Sequence, residues 1–540
     1  MTHSSSCPGI IRNRISAGHL PWVLVLGMGL VSTACTTLGP EFEKPEAPVA
    51  QGWQDIDAPQ IKSATADHSQ WWSAFQDPIL SELVDHTYQQ NLPLRIAALR
   101  ILEARAQLGI AVGNLYPQQQ RASGGVTYQS GSESQANTAL GDLRFTDYDI
   151  GLDAAWELDI WGKFRRGIES AEANFLASVA DYDDLLVSLT ANVATSYTII
   201  RTFEERIKLA QENVAIQQRS VEIADVRFRN GATTELDVQQ AKTLLFTTKA
   251  TITQLQTGLR QAENSLSILL GLPPGQIRAI VNRPAPIPMA PAEVAIGIPA
   301  DLLRRRPDVR RAELQAAAQS GLIGVAKADL YPSFSLFGSI GLAASSGTNT
   351  TRTGQTGADE LFDTDSLFFA GGPSFSWAIF NYGRIKNNVR VQDARLQQFL
   401  VNYQDSVLRA AQEAEDALTA FLRFGEEVDL RTQAVKAARR SVDLSLTQYR
   451  EGATDFTTVL NTQTSLVTQE DQLTAARGDV ARNLIALYRA LGGGWQVRQG
   501  KNILPQTTTS KMRERTDWGD LLGPPVELEA PDEKSRTPDW

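Results

Sequence analysis

Sulfur and imidazole are scarce in this chain: 540 residues hold two cysteines, four methionines and four histidines. Cys7 and Cys35 supply neither a disulfide framework nor the paired spacing of a structural zinc site. His3 and His19 lie near the start, which leaves His68 and His86 as isolated histidines, read as structural. There is no His-Glu-x-x-His and no glycine-rich loop leading into Lys-Ser/Thr, so the sequence offers no catalytic centre, metal site or cofactor cradle. Positive charge is also lacking. With 51 Lys+Arg against 61 Asp+Glu the net charge is −10, which argues against nucleic acid, a partner that needs a basic face. Finally, no apolar run reaches the ~20 residues of a membrane-spanning helix. What crosses a membrane here, if anything does, is not a helix.

What is present begins with an export signal over residues 1–34. Arg12 and Arg14 form the basic start, Leu20 to Val31 the apolar stretch, and Ser-Thr-Ala-Cys the small-residue cleavage site. Cys7 leaves with this signal, so Cys35 has no partner for a disulfide. Small residues ahead of a cysteine resemble the lipobox of bacterial lipoproteins, although Ser32 stands where an aliphatic residue is usual. Cys35 is therefore expected to be the lipidated first residue of the mature chain. The alternative is an ordinary signal with a chance cysteine. Residues 35–70 are polar and spaced by Pro40, Pro45, Pro48 and Pro59, as in an extended linker.

Beyond the linker the chain is written twice. "RFRNGAT" at Arg227 has a twin in "QYREGAT" at Gln448, with Gly231 and Gly452 standing 221 residues apart. The same interval separates Trp156 from Trp377, Gly162 from Gly383 and Tyr182 from Tyr403. One repeat covers 71–290 and the other 291–497. Each opens with a helical run ending in Leu-Tyr-Pro, at Pro117 and Pro332. Two alternating stretches follow each time, within about 120–160 and 332–382. Tyr148, Ile150, Leu152, Ala154 and Trp156 interleave with polar or small residues, as do Phe334, Leu336, Ile340 and Leu342, then Phe375, Trp377 and Ile379, and more weakly Val126 and Tyr128. These read as four strands, each ~10 residues long, the length a tilted strand needs to cross a bilayer. A soluble sandwich is the other reading of that alternation.

No proline interrupts Phe164 to Arg229 or Ile385 to Arg450, and both runs are rich in Ala, Glu, Gln, Leu and Arg. Helices of this length would extend on the order of 100 Å each. A four-stranded sheet has two unpaired edges, which lipid does not tolerate. The chain must close its barrel with copies of itself, as a cyclic homo-oligomer with helices continuing as a coiled cylinder.

The words "CTTLGPEFEKPEAP", "WWSAFQDPIL", "WELDIWGK", "IPADLLRRRPDVRRAE" and "YREGATDFTTVLNTQ" resemble the trimeric outer-membrane factors of Gram-negative bacteria, TolC-like and of the NodT type of efflux lipoprotein. The resemblance runs from about Cys35 to Gly493. It implies a mixed fold, an α-helical barrel plus a transmembrane β-barrel, in which a homotrimer closes twelve strands. It implies a lipid-anchored protein of the cell outer membrane extending into the periplasm, in contact with outer-membrane lipid. Its partners would be a periplasmic adaptor and an inner-membrane transporter of the RND type or a related one. Function would then be passive conduction of small toxic compounds or drugs, with no enzyme activity and no cofactor. Within the family, type I protein secretion and metal-ion efflux are alternatives, and the few methionines lend copper no support. A lipid-anchored periplasmic coiled-coil scaffold is the rival from another class, which the period-two strands and their duplication argue against.

The resemblance also assigns residues. Gly231, Ala232 and Thr233, with Gly452, Ala453 and Thr454, would form the hairpin tips that meet the adaptor. Asp237 and Tyr449 would link hairpins at the closed aperture, a carboxylate accepting from a phenol. Thr458 and Asn461 stand where TolC carries aspartates, and Thr454 replaces its linking arginine, so the constriction is expected to be neutral and weakly selective for cations. The polar tail over 498–540 is expected to be disordered or draped on the body.

Overall fold

A computed structural model describes residues 37–46, 48–50, 52–62, 67–134, 143–283, 285–291, 293–297, 305–348 and 355–522. The signal at 1–34, Cys35 and residues 523–540 lie outside the described residues. The first repeat carries β1 (Ile61–Lys62), α1 (Pro78–Gln90), α2 (Leu92–Gly113), β2 (Gln119–Ser130), β3 (Arg144–Glu157), α3 (Lys163–Arg229), α4 (Glu235–Leu269) and the single turn α5 (Arg278–Val281). The second carries β4 (Val294–Ala295), α6 (Pro307–Ala328), β5 (Ser333–Thr348), β6 (Gln355–Thr356), β7 (Leu367–Ser376), α7 (Arg384–Arg450) and α8 (Phe456–Ala490), with α9 (Gln506–Arg515) beyond it. The duplication holds to the residue: α2 and α6 have 22 residues each, α3 and α7 have 67, and α4 and α8 have 35.

Two compact units result, and neither follows the repeats. One combines the chain up to Glu41 with Ile110–Ser170 and Ser320–Asp393; the other takes Phe42–Gly109, Ala171–Gln319 and Ala394–Trp540.

The first unit is built on an antiparallel sheet in the order β2-β3-β5-β7, with β6 pairing only the end of β5. Because side chains alternate between faces and the register aligns like with like, the sheet sorts itself chemically. Val126 faces Tyr148, Leu152 faces Ile340, Ile340 faces Phe369 and Phe334 faces Phe375, all on one side. Arg121, Asp147, Asp149, Asp153, Ser335 and Ser339 fall on the other, together with the two aromatics Phe337 and Phe368. The apolar side is bare in the single chain, with Phe369 80% and Phe375 72% exposed. Soluble proteins rarely present such a contiguous apolar surface. Among the described residues β2 has no partner beyond β3, and β7 none beyond β5.

The other unit buries its core where helices cross. Trp71 and Trp72, on a 3-10 turn at Trp71–Phe75, pack edge to face, and Trp71 stacks on Tyr488 of α8 at 5.4 Å. Leu80, Leu83, Tyr197, Ile200, Leu266 and Leu484 are fully buried around them. Each such aliphatic side chain contributes about 1.5–3 kcal/mol. His68 belongs to the same core, 5.6 Å from Tyr488, and burial lowers its pKa.

Two expectations change, and the tail takes one of its two readings. The helical run to Pro117 is not continuous: α1 stops at Asn91, whose side chain accepts from the Leu94 amide at 2.8 Å and restarts the chain as α2. Pro93 falls in that first turn, where its missing N–H costs nothing. The linker is docked: Trp53 is buried and donates to Gly297 O at 2.8 Å, and β1 pairs in parallel with β4. Over its described residues, 498–522, the tail is draped on the body, the second of its two readings. Arg498 grips buried Asp183 through Nη2 at 2.9 Å, Tyr88 donates to Asn502 O at 3.2 Å, and Met512 and Leu522 are buried. The sequence shows no periodicity there because these anchors are single residues.

Candidate functional site

The two Gly-centred turns join α3 to α4 and α7 to α8, and they are built alike. At the first, Ala232 N donates to Arg227 O at 2.8 Å and Gly231 N to Phe228 O at 2.9 Å. At the second, Ala453 N donates to Gln448 O at 2.8 Å and Gly452 N to Tyr449 O at 3.1 Å. This paired closure requires a left-handed residue, and Gly231 and Gly452 supply φ of 72° and 78°. Gly231, Ala232, Gly452 and Ala453 are exposed, and Thr233 and Thr454 half-buried. The twin turns thus present small backbone-rich surfaces.

Behind the turns, Tyr449 at the end of α7 donates to Asp237 of α4 at 3.1 Å. The pair that the family resemblance assigned is therefore in contact. Thr233 also donates its hydroxyl to Asp237. Tyr449 is buried, packed edge-on against Phe456 at 5.3 Å. Burial raises its pKa and the Asp237 charge adds to the rise, while the Thr233 contact opposes it. The phenol is held protonated, as a donor to a carboxylate must be.

Sequence reasoning missed Arg227. Its guanidinium stands 4.7 Å over the Tyr449 ring and donates through Nη1 to Tyr449 O at 2.7 Å and Arg450 O at 3.0 Å. A cation at the last carbonyls of α7 satisfies groups that the helix itself leaves unpaired. The signal was in the twin words: Arg227 stands where the other copy has Gln448, and Tyr449 where it has Phe228. Two near-identical turns that differ at those positions cannot make the same side-chain contacts.

Thr458 and Asn461 are exposed on α8. Thr458 has a local task, since its amide and hydroxyl both donate to Asp455 at 3.0 and 2.8 Å and cap the helix. That amide bond, with the hydroxyl second, lowers the Asp455 pKa. The structure leaves Thr458 and Asn461 out of the Asp237–Tyr449 cluster. Among the described residues no group of acidic, His or Cys side chains is placed to hold a metal ion.

In the sheet unit, the chain just after Cys35 is pinned. Leu38 N donates to Trp161 O at 3.1 Å, Arg166 donates to Leu38 O at 3.1 Å and binds Glu41, and a Cβ on Gly162 would strike Thr37.

The sequence pattern of the outer membrane efflux protein family matches residues 83–272 and 298–493. The chain belongs to that family. Outer membrane efflux proteins similar to it include the pyoverdine export protein OpmQ of Pseudomonas putida, 29% identical over 475 residues, which span 87% of this chain and 97% of OpmQ. The cation efflux protein CusC of Escherichia coli is 28% identical over 483 residues, 88% of this chain and 98% of CusC. The solved outer-membrane channel OprN superposes with a TM-score of 0.79 at 31% identity, covering 85% of this chain and all of OprN. The fold is therefore that of the TolC-like channels, and the protein is an outer-membrane channel component of an efflux system. The family is one of channels, not of enzymes. No helix among the described residues is long and apolar enough to cross a membrane, a statement that does not touch a β-barrel. The bare apolar side of β2-β3-β5-β7 is suited to lipid, and the side with Asp147, Asp149 and Asp153 to water.

Proposed function

We propose that three copies, each giving four strands, close one twelve-stranded barrel, and that the assembly conducts small toxic compounds outward without spending energy of its own. The observation that carries this is the open sheet, with its bare apolar side and two unpaired edges. Lipid accepts such a sheet only when every edge is paired. A periplasmic adaptor docks on the turns at Gly231–Thr233 and Gly452–Thr454, and an inner-membrane transporter of the RND type or a related one supplies the cargo. Relatives named for pyoverdine and for cations resemble this chain equally well. That supports a duct indifferent to cargo, with the choice made upstream.

The contact of Tyr449 with Asp237, braced by Arg227, is the resting latch of the aperture, and Thr458 and Asn461 line a neutral constriction. Cys35 is lipidated, and the pinned segment Thr37–Glu41 fixes where the anchor leaves the body. Electron microscopy of the detergent-extracted mature protein is expected to give three-fold particles; monomers would end this reading. Metabolic labelling with palmitate should mark the wild type and not Cys35→Ser, and equal labelling would remove the anchor assignment.

A further inference from the structure

The two repeats treat equivalent residues unequally at the base of the sheet. After β3, Trp161 packs on Tyr331 with ring centres 4.8 Å apart and donates to Pro332 O at 2.8 Å, while Lys163 binds Asp329 at 3.2 Å. This segment of the first repeat therefore rests on the Leu-Tyr-Pro of the second. After β7 the equivalent side chains are bare: Ile379 is 64%, Phe380 88% and Tyr382 101% exposed. Yet the repeats agree where each contacts itself. Trp156 donates to Leu115 O and Trp377 to Leu330 O, both at 3.0 Å, and Gly162 and Gly383 share φ near +72° and +80°.

From this inequality we infer that Tyr382 docks on Tyr116 and Pro117 of the next copy, and that β7 pairs with β2 of that copy in the register of β3 with β5. The inference rests on the closed barrel proposed above and adds its residue-level contacts. The register follows from the pairing already present. Gln120 faces Ala154 in the first hairpin and Phe334 faces Phe375 in the second; Ala154 and Phe375 are equivalent, so Gln120 is the counterpart of Phe334. Gln118 is then an extra residue ahead of β2, and its side chain exchanges hydrogen bonds with the Glu157 backbone.

Carrying Trp156 opposite Leu336 across to the open edge sets Trp377 opposite Ala122 of the next copy. Ala155 opposite Phe337 becomes Ser376 opposite Ser123. The sides of the sheet match in this register: Trp377 continues the apolar side of β7, and Ala122 lies on the apolar side of β2, opposite Leu152. A slip of one residue would turn Phe369, Phe375 and Trp377 to the side on which β2 carries Arg121, Ser123 and Thr127. Arg384, the counterpart of Lys163, meets Asn114, the counterpart of Asp329. Leu158 N donates to Phe334 O at 2.8 Å, so alternation along the strands turns the Pro373 nitrogen to the open edge. One rung of the seam, opposite Val126, therefore lacks its donor, as suits a proline on an edge strand.

Disulfide trapping in the full-length protein tests the register, because Cys7 leaves with the signal and Cys35 heads the mature chain. Ser123→Cys with Ser376→Cys is expected to give covalent trimers on oxidation with diamide, at least ten-fold more than Arg121→Cys or Gly125→Cys with Ser376→Cys. Each displaced pair lies two residues off register, about 7 Å along the strand. Preferential trapping of a displaced pair, or none in a particle whose native mass is that of a trimer, overturns the register and leaves the barrel standing. A monomeric native mass overturns both. Tyr382→Ala should lower the temperature at which trimers dissociate in detergent, and Tyr382→Trp should retain it. An unchanged temperature for the alanine variant removes Tyr382 from the seam.

Discussion

At the scale of single residues, Tyr449 acts as a buried donor whose acceptor belongs to the other hairpin. Phenylalanine at this position keeps the edge-on contact with Phe456 and deletes only the hydroxyl. A hydrogen bond to a charged acceptor is worth about 1.5–3 kcal/mol when buried, and half-exposed Asp237 puts this one near the lower end. Tyr449→Phe is therefore expected to raise the open fraction of channels in planar bilayers, with the fold otherwise unchanged. Equal conductance in the two proteins would take the pair out of the gate. Burial of the phenol, with the Asp237 charge beside it, sets a pH response. The Tyr449 pKa is raised, so its stabilisation is complete below the ordinary tyrosine value near 10 and is lost as pH rises through the elevated one. Wild-type channels should open at strongly alkaline pH, while Tyr449→Phe channels should lack that step. Arg227→Gln, which imports the residue of the twin turn, should loosen the latch as well, because it removes the cap on the Tyr449 and Arg450 carbonyls.

At the scale of elements, the tail shows how a segment without a hydrophobic pattern is held. Arg498 pairs with Asp183 among Tyr88, Tyr182 and Trp495; burial raises the Asp183 pKa, and Arg498 opposes that rise. Removing one partner of a buried pair costs about 3–5 kcal/mol, because the other charge is left without compensation. Arg498→Ala should free α9, seen as faster amide exchange and proteolysis over Gln506–Arg515, while exchange in α3 and α7 stays slow. Unchanged protection of α9 would mean that Met512 and Leu522 suffice.

This element also marks where the sequence stops being legible. The strands, long helices and turns could be read because each repeats a period or a word over many residues, and because the chain wrote them twice. The end of α1 at Asn91, the extra Gln118 and the order of residues 498–522 could not. Each depends on one side chain meeting a backbone or a charge far away in sequence. The contact between the hairpins was half legible: family likeness pointed to Asp237 and Tyr449, while Arg227 needed the three-dimensional neighbourhood of the α7 carbonyls.

At the scale of the whole molecule, charge is distributed unevenly along the proposed conduit. Thr458 and Asn461, the residues proposed for the constriction, are neutral. The wet side of the sheet carries Asp147, Asp149 and Asp153 on β3, with Arg121 opposite Asp153 as the facing cation from β2. Asp147 accepts from Gln129 at 2.8 Å and from Ser345, so its carboxylate is tied to the wall. Asp149 faces Gly125, which brings no side chain of its own. In the proposed trimer this stripe would put a surplus of negative charge inside the barrel, and such a ring draws cations. Cation preference in this channel should therefore arise in the barrel and not at the tips. Asp149→Asn is expected to shift the reversal potential toward zero in a salt gradient, and Thr458→Val to leave it unchanged. The difference should fade as ionic strength rises, because screening shortens the reach of the stripe from ~10 Å at 0.1 M to ~3 Å at 1 M. A reversal potential that follows Thr458 instead would return selectivity to the aperture, and the aspartates would then serve only to keep the sheet's inner side wet.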